Sequence, residues 1–412
     1  MELSYLTAEI PGTGGVLKTK PEDFRVTEIP LYEPNDEGTH TFFHVEKHGT
    51  STPEAVRRIG RALRVPETRI GYAGLKDARA VTRQVMSLEH VPPEEILALR
   101  VPNVTIAWAR RHTNKIRVGH LVGNRFEIRV RNVVPGALEC AERILDVLRR
   151  RGAPNYFGRQ RFGTKGDGHL VGKAIVQRDF RRALDLFLGT PSEREHDPTI
   201  RRARELYHEG KFQESLEAFP YMFLSERRAL GVLARTNGDI EQALWAISRR
   251  ALRLFVSAYQ SYLYNAVLEG RLPAFDRMRV GDLAYLHDRG ACFLVEDLAA
   301  EQPRCDRFEI SPTAPIFGSR MMRAGGEVGR EEQEALEAAG VELREFAVAK
   351  GLVCRGERRA IRIPLTDITV REEPAESALF FEFTLPRGCY ATSVLREVTK
   401  TPEESIEEDE AS

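Results

Sequence analysis

Apolar and polar residues alternate along several stretches of the first 130 residues, a pattern typical of strands with one buried face. Residues 124–130 show it most clearly. The even-numbered positions from Asn124 to Val130 form a mainly apolar face, and the odd-numbered positions form a basic face. The same alternation predicts strands in three further segments, namely 24–28, 81–88 and 104–109.

Helical spacing is clearest in two parts of the chain. Thr52 is predicted as the N-cap of an early helix, with Pro53 as its first residue. Apolar residues three or four positions apart dominate 171–270, and the longest such run covers 244–266, before Gly270. Strand patterns return at the end of the chain, and a last helix is predicted to follow them; these segments are 359–363, 379–385 and 389–398.

The composition is that of a globular protein. Its 412 residues exceed one ordinary domain, with 42% hydrophobic and 30% charged residues, and no run reaches the roughly 18 apolar residues of a membrane span. The N-terminus lacks the basic and apolar pattern of a secretory signal, so we predict a cytoplasmic protein. Its five cysteines form no Cys-x-x-Cys pair, which argues against a zinc site or a disulfide framework.

The net charge of zero hides an asymmetry. Residues 401–412 hold six acids and no bases, so the first 400 residues carry a net charge of +6. Of the 61 basic residues, 51 are arginine, whose planar guanidinium suits phosphate groups and stacked bases. The other interpretation is an ordinary solvated surface in an arginine-rich proteome. The acidic tail, 400–412, is predicted to be disordered.

The segment 71–84 has the character of an active-site loop. Its glycines allow a tight bend that presents Lys76 and Asp77 just before a predicted strand. The alternative is a plain turn in which the charges are solvated. The segment has neither the spacing of a phosphate-binding P-loop nor that of a dinucleotide-binding loop.

A second cluster, which includes residues 156–161, mixes basic and aromatic residues. This mixture suits contact with RNA phosphates and unpaired bases. The segment 110–131 adds seven basic residues against one acid. The alternative is that the aromatic residues pack at a domain junction with arginines at its rim. The candidate RNA-binding residues are Lys76, Tyr156, Phe157, Arg159 and Arg161.

Five segments, in this order, resemble motifs of the TruD family of tRNA pseudouridine synthases. The region between about 165 and 340 matches loosely and resembles the longer insert of archaeal-type members. The five segments are KTKPEDFRVTE (18–28), GLKDARAVTRQ (74–84), GNRF (123–126), PNYFGRQRFG (154–163) and RGCYATSVLRE (387–397).

The resemblance implies an enzyme that isomerises uridine to pseudouridine in tRNA, typically at position 13, without a cofactor or metal. The family's nucleophilic aspartate corresponds to Asp77, and Lys18 is the expected cationic partner. A flipped-out target nucleotide is implied. The positions implied to contact it are Phe24, Asn124, Phe126 and Tyr390. Phe126 could equally be a plain core residue.

The implied fold is α+β: a pseudouridine-synthase catalytic domain with a mixed or antiparallel sheet, and a large inserted TRUD domain. We predict the catalytic domain at 1–154 plus 346–412 and the insert at 155–345, facing it across a basic cleft for tRNA. A monomer is expected, with no protein partner and no membrane contact.

Two other functions remain open at this point. One is a non-catalytic RNA-binding protein or RNA chaperone on the same scaffold. The other is a retaining glycosidase, which needs a second carboxylate about 5 Å from the first. Glu22, Asp23 or Glu28 could supply it only through folding.

Overall fold

The computed structural model describes residues 3–163, 165–191, 195, 197–349 and 351–401. Most of the predicted disordered tail, 402–412, therefore lies outside the described residues. The chain forms two compact units. The sheet unit comprises Tyr5–Asn155 and the chain from Ile363 onward, and the helical unit comprises Tyr156–Arg362 with the start of the chain up to Ser4.

The strands of the described residues are numbered in chain order. They are β1 (Gly14–Val16), β2 (Phe24–Pro30), β3 (His40–His48), β4 (Gly71–Tyr72), β5 (Val81–Glu89), β6 (Val104–His112), β7 (Leu121–Val133), β8 (Ala153–Pro154), β9 (Leu283–Leu286), β10 (Cys292–Leu294), β11 (Ile310–Ile316), β12 (Ala347–Ala349), β13 (Leu352–Val353), β14 (Glu357–Ala360), β15 (Arg362–Ile363), β16 (Thr366–Glu373) and β17 (Ala378–Pro386).

The α-helices are numbered in the same way. They are α1 (Thr52–Leu63), α2 (Pro93–Leu97), α3 (Ala137–Arg151), α4 (Gly168–Val176), α5 (Phe180–Leu184), α6 (Pro198–His208), α7 (Phe212–Ala218), α8 (Leu224–Thr236), α9 (Ile240–Ala246), α10 (Arg249–Arg271), α11 (Leu298–Asp306), α12 (Gly326–Ala339) and α13 (Ala391–Thr399).

The sheet unit is built on one large mixed sheet. Its strand order is β16-β17-β7-β2-β5-β3-β6, with β1 added to β7 and β4 added to β5. β2 and β5 run parallel, whereas the other recorded pairs in this sheet are antiparallel. The prediction of an α+β fold with a mixed sheet is confirmed.

The alternation in the sequence decides which face of the sheet is buried. Phe126, Ile128 and Val130 of β7 are buried, and they pack with α3 and α13 in one core cluster. A second cluster joins α1 to the inner faces of β3 and β5. Burial of each large apolar side chain contributes about 1.5–3 kcal/mol, so these faces hold the helices against the sheet.

The helical unit packs α4 against α10 at very short range. A Cβ at Gly172 would lie 2.0 Å from the carbonyl oxygen of Phe255, so only glycine fits at this crossing. The unit also contains a small antiparallel sheet of order β10-β9-β11-β14. Because β14 pairs with β11, residues 346–362 group with the helical unit, which continues to Arg362. The predicted domain bounds, 1–154 plus 346–412 and 155–345, stay a prediction.

Two predicted helix boundaries are wrong. Ser51, not Thr52, is the N-cap of α1, since its side chain accepts a hydrogen bond from the Glu54 amide. The apolar run 244–266 is divided between α9 and α10, because Ile247 is extended and the Ser248 side chain caps α10. Continuous apolar spacing cannot reveal such a break.

Candidate active site

Asp77 lies in the loop between β4 and β5 and forms an ion pair with Lys18. Its Oδ1 is 3.2 Å from the Lys18 Nζ. The Asp77 side chain is 32% exposed and that of Lys18 is 11% exposed, so the carboxylate remains accessible while its partner is largely covered. This arrangement suits a reactive group rather than a buried structural charge.

Lys18 reaches Asp77 from the turn that follows β1. Its backbone is left-handed, with φ of 54°. Its Nζ also lies 4.8 Å from the centre of the Phe24 ring, a cation–π distance. Lys18 therefore joins the Asp77 carboxylate to an aromatic residue at the start of β2.

A buried lysine anchors the backbone of the Asp77 loop. Lys47 of β3 is fully buried, and its Nζ donates to the carbonyl oxygens of Asp77 at 2.8 Å and Thr50 at 2.7 Å. Burial lowers the pKa of Lys47 to about 8. The sequence analysis missed this residue. Its signal is a lysine on the same strand face as Phe43 and Val45.

Two further polar side chains hold the loop from α1 and β5. The Thr52 hydroxyl accepts a hydrogen bond from the Lys76 amide at 3.0 Å and donates to Gln84 Oε1 at 3.0 Å. Gln84 Nε2 donates to the Gly74 carbonyl oxygen at 3.2 Å. The loop from Gly74 to Asp77 is thus fixed at several backbone atoms, which preorganises the Asp77 carboxylate.

Lys76 was predicted to bind RNA, but its position does not support this. Its Nζ lies 2.6 Å from Glu28 Oε2, and both side chains are at most 4% exposed. The second Glu28 oxygen accepts a hydrogen bond from the Val85 amide. A buried, paired ammonium cannot reach an RNA phosphate without breaking this contact. The geometry therefore favours a structural role, and RNA contact by Lys76 stays a prediction. The pairing also occupies Glu28, one of the carboxylates considered for a glycosidase.

The Phe24 ring that Lys18 contacts belongs to a row of aromatic rings in the core. Phe24 and Phe126 are in edge-to-face contact, with ring centres 6.3 Å apart, and Phe126 stacks on Phe383 at 5.4 Å. Phe24 is 2% exposed and Phe126 is 5% exposed. Both rings are core residues here, and their contact with a nucleotide stays a prediction.

Asn124 follows a glycine that the strand pairing requires. A Cβ at Gly123 would lie 2.3 Å from the carbonyl oxygen of Leu385, so glycine lets β7 approach β17 closely. The Asn124 side-chain oxygen is buried and has no hydrogen-bond partner among the described residues. Such an acceptor is rare in folded proteins and fits a donor supplied by a ligand.

Tyr390 immediately precedes α13 and is 50% exposed. Its backbone is extended, with φ of −113°, which is the geometry of an N-cap position. An exposed ring of this kind can stack on a base without rearrangement of the core.

The predicted RNA-binding aromatics of the helical unit are buried. Tyr156 is 4% exposed and donates from its hydroxyl to Glu269 at 2.6 Å. Phe157 is 5% exposed, and its backbone amide donates to Asn265. Their burial favours the packing interpretation, and RNA contact by Tyr156 and Phe157 stays a prediction.

The two arginines of the same cluster differ from these aromatic residues. Arg161 is exposed, lies over the Phe157 ring at 5.2 Å and donates to the Ser261 hydroxyl at 2.9 Å. Arg159 is partly exposed at the start of the same 3-10 turn. RNA contact by Arg159 and Arg161 stays a prediction.

The basic face of β7 is largely paired with acids. Arg131 and Arg129 both contact Asp23, at 2.7 Å and 3.2 Å, and Arg129 also contacts Glu373. Burial alone would raise the pKa of Asp23, but hydrogen bonds from Arg131 and Arg129 hold it below its usual range. These two arginines therefore stabilise the sheet unit rather than forming a free RNA-binding surface, and Asp23 is not available as a second catalytic carboxylate.

Nowhere in the described ranges do three His, Cys, Asp or Glu side chains converge as a metal site would require. Among the same residues, no helix combines the length and apolar character needed to cross a membrane.

The motif order and the Asp77–Lys18 geometry agree with the comparison with known families. The family described as tRNA pseudouridine synthase D (TruD) matches residues 1–398. The chain belongs to this family. A tRNA pseudouridine synthase D of Geobacter sulfurreducens is 50% identical over 398 residues, 97% of each chain. One from Anaeromyxobacter dehalogenans is 38% identical over 410 residues, 99% of each chain.

A solved structure of a TruD protein from Methanosarcina mazei has the same fold. It superposes with a TM-score of 0.84 and 30% sequence identity, over 98% of this chain and 97% of the other. The predicted pseudouridine-synthase fold is therefore confirmed. The Geobacter relatives are bacterial, so they give no support to the expectation of an archaeal-type TruD member.

Proposed function

We propose that this TruD family member isomerises uridine to pseudouridine in tRNA, at position 13. The observation that carries the proposal is Asp77, an accessible carboxylate paired with Lys18 on a loop anchored by buried side chains. Relatives of the same family, named tRNA pseudouridine synthase D, match nearly the whole chain.

The reaction rearranges the nucleoside without adding or removing atoms. The bond from C1′ to N1 breaks, the uracil turns, and a bond from C1′ to C5 forms. C5 loses its hydrogen, and N1 gains one. Asp77 forms a transient covalent bond to the nucleoside in the course of this exchange, and that bond breaks again by the time pseudouridine is released, which returns the free carboxylate. Lys18 orients the carboxylate before attack through its 3.2 Å contact with Oδ1.

The target nucleotide must leave the RNA stack to reach Asp77, at a cost of a few kcal/mol. Phe24, Phe126 and Tyr390 supply aromatic surface for its base. The unpaired Asn124 oxygen can accept a hydrogen bond from the uracil N3–H group.

We assign the sheet unit to catalysis and the helical unit to the family's inserted domain. Arg159 and Arg161 contribute to RNA affinity from the latter. The enzyme acts as a cytoplasmic monomer, needs no cofactor or metal, and resembles the archaeal-type members in its insert.

Replacement of one carboxylate tests the proposal. Asp77→Asn should abolish pseudouridine formation on an unmodified tRNA transcript, while the dissociation constant for tRNA changes less than about threefold. Asp146→Asn is a matched control, because Asp146 is also paired with a basic residue but lies on α3. Pseudouridine is detected by chemical labelling and primer extension.

Two outcomes would contradict the proposal. Full activity of the Asp77→Asn variant would remove Asp77 from the reaction. Tight tRNA binding by a wild-type protein that modifies no tRNA would favour the non-catalytic RNA-binding alternative.

A further inference from the structure

The sheet unit carries a cavity of about 490 Å³ beside the segment that joins β6 to β7. Its lining supplies hydrogen-bond donors and cations, and none of it is acidic in the part of the chain that the structure describes. The residues that matter here are Tyr32, His112, Lys115, Arg117 and His120. Such a lining favours an anion.

Hydrogen bonds to Nδ1 hold both histidine rings of the cavity. His112 Nδ1 accepts from the backbone amide of Asn35 at 3.3 Å, so the proton of the neutral ring is on Nε2. Burial, assisted by nearby His40, lowers the pKa of His112. The Tyr32 hydroxyl lies 2.6 Å from His120 Nδ1, and burial raises the pKa of this tyrosine.

The cations of the cavity are not neutralised by acids. No described carboxylate lies within ion-pair distance of Arg117, which is exposed. Lys115 donates to the Thr68 carbonyl oxygen at 2.8 Å, which uses one of its three protons. Arg117 therefore offers a complete guanidinium for bidentate contact with a phosphate.

The segment that bears the cavity is attached to the Asp77 loop. The Gly119 amide donates to the Ala73 carbonyl oxygen at 2.8 Å, four residues before Asp77. The Ile116 amide donates to the Ser87 hydroxyl of β5. A Cβ at Gly71 would lie 2.3 Å from the Ile116 carbonyl oxygen, so glycine permits this close packing.

We propose that this cavity binds a backbone phosphate of the RNA substrate, from a nucleotide flanking the target uridine. The anion preference follows from the lining, and the RNA identity of the ligand rests on the proposed function. Because the cavity and Asp77 share one fixed backbone, a phosphate held by Arg117 sets the position of the strand relative to the catalytic loop.

The test compares Arg117→Gln with Arg61→Gln, which removes an exposed arginine from α1. The dissociation constant for an unmodified tRNA transcript is measured by filter binding at several salt concentrations, together with the single-turnover rate at saturating tRNA. Arg117→Gln should weaken binding about fivefold and reduce the slope of log affinity against log salt by about 0.7–0.9, the value of one phosphate contact. The rate at saturation should also fall, by more than about twofold, because the strand is no longer positioned relative to the catalytic loop. Arg61→Gln should resemble the wild type in binding and in rate.

A second variant keeps the test valid if Arg117→Gln fails to fold. Tyr32→Phe retains the ring stacked on His112 at 5.3 Å and removes only the hydroxyl that orients His120. Tyr32→Phe should also weaken tRNA binding, by a smaller factor than Arg117→Gln. Inorganic phosphate should inhibit the binding of tRNA to the wild-type protein. It should not inhibit the binding of tRNA to the Arg117→Gln variant.

Equal tRNA affinity and salt slope in Arg117→Gln and wild type would overturn the proposal, as would equal losses in Arg117→Gln and Arg61→Gln. Competition by inorganic phosphate with no effect of Arg117→Gln on tRNA binding would indicate a free-anion site and would also overturn it. An Arg117-dependent tRNA affinity in a protein that forms no pseudouridine would instead remove the proposed function and leave the phosphate site standing.

Discussion

Lys18 and Asp77 are 59 positions apart in the sequence, yet the lysine Nζ lies 3.2 Å from the carboxylate Oδ1. The same lysine lies over the ring of Phe24. An ammonium group that contacts both a ring and a carboxylate in this way has a fixed position, so it orients the carboxylate. The two lysines near Asp77 therefore differ in role. Lys18 contacts the Asp77 carboxylate, whereas Lys76, the residue before Asp77, is buried against Glu28.

Loss of the Lys18 ammonium should slow the reaction more than it weakens binding. We expect Lys18→Met to reduce the single-turnover rate by about 100-fold, since a small misplacement of a reacting group has effects of this size. Lys18→Arg should recover part of the rate. A Lys18→Met variant with a normal rate and a raised tRNA dissociation constant would assign Lys18 to binding alone.

The buried Lys76–Glu28 pair predicts a strong dependence of stability on both partners. Lys76→Met or Glu28→Gln alone should lower the free energy of unfolding by about 3–5 kcal/mol, because each leaves an uncompensated buried group. The double variant Lys76→Met/Glu28→Gln should lose less than the sum of the single losses. Urea titration measures these values.

An exposed ion pair provides the control for this prediction. Arg57→Met removes a cation from the surface pair with Glu54 and should change stability by less than about 1 kcal/mol. If Lys76→Met kept wild-type stability and weakened tRNA binding, the original assignment of Lys76 to RNA contact would be supported.

The lowered pKa of Lys47 predicts a stability that rises at alkaline pH. Its pKa is about 8 in the folded protein against 10.5 for an ordinary lysine. Between these values the unfolded chain binds more protons, so this residue's contribution to the free energy of unfolding increases with pH. The difference between wild type and Lys47→Met should grow by up to about 3 kcal/mol from pH 8 to pH 10.5.

The same Lys47→Met variant should also lose activity, because the carbonyl oxygens of Asp77 and Thr50 lose their donor. Urea unfolding at three pH values and single-turnover kinetics check both effects. Parallel stability curves for the two proteins across this pH range would show that Lys47 keeps its proton in the fold.

Asn124, whose side-chain oxygen is buried, and the fully buried Asn265 give opposite predictions. Asn265 bonds both the amide and the carbonyl of Phe157, so Asn265→Ala should cost about 2 kcal/mol of stability. The Asn124 oxygen has no partner among the described residues, so Asn124→Ala should leave stability within about 1 kcal/mol. Its kcat/KM should nevertheless fall at least tenfold, since a contact with uracil is lost.

Thermal or urea unfolding and steady-state kinetics distinguish these two variants. A large loss of stability in Asn124→Ala with unchanged kcat/KM would show that Asn124 serves the fold and not the substrate.

Local pattern predicted five strands of the large sheet, β2, β5, β6, β7 and β17, but it did not predict β3 or β16. Phe126, Ile128 and Val130 are buried as the alternation predicts, because a strand places every second side chain on the same face. The same rule contained an unused signal: Glu28 and Lys47 are charged residues on buried strand faces. Both turn out to hold the loop that carries Asp77.

The sequence by itself determined the strand faces, the family motifs and the candidate aspartate, since each depends on residues close together in the chain. Only the tertiary structure decided which charges are free and which are paired. It placed Asp23 on Arg129 and Arg131, Glu28 on Lys76, and Tyr156 in the core. The reason is physical: burial and ion pairing depend on neighbours brought together from distant positions, and no local spacing encodes those neighbours.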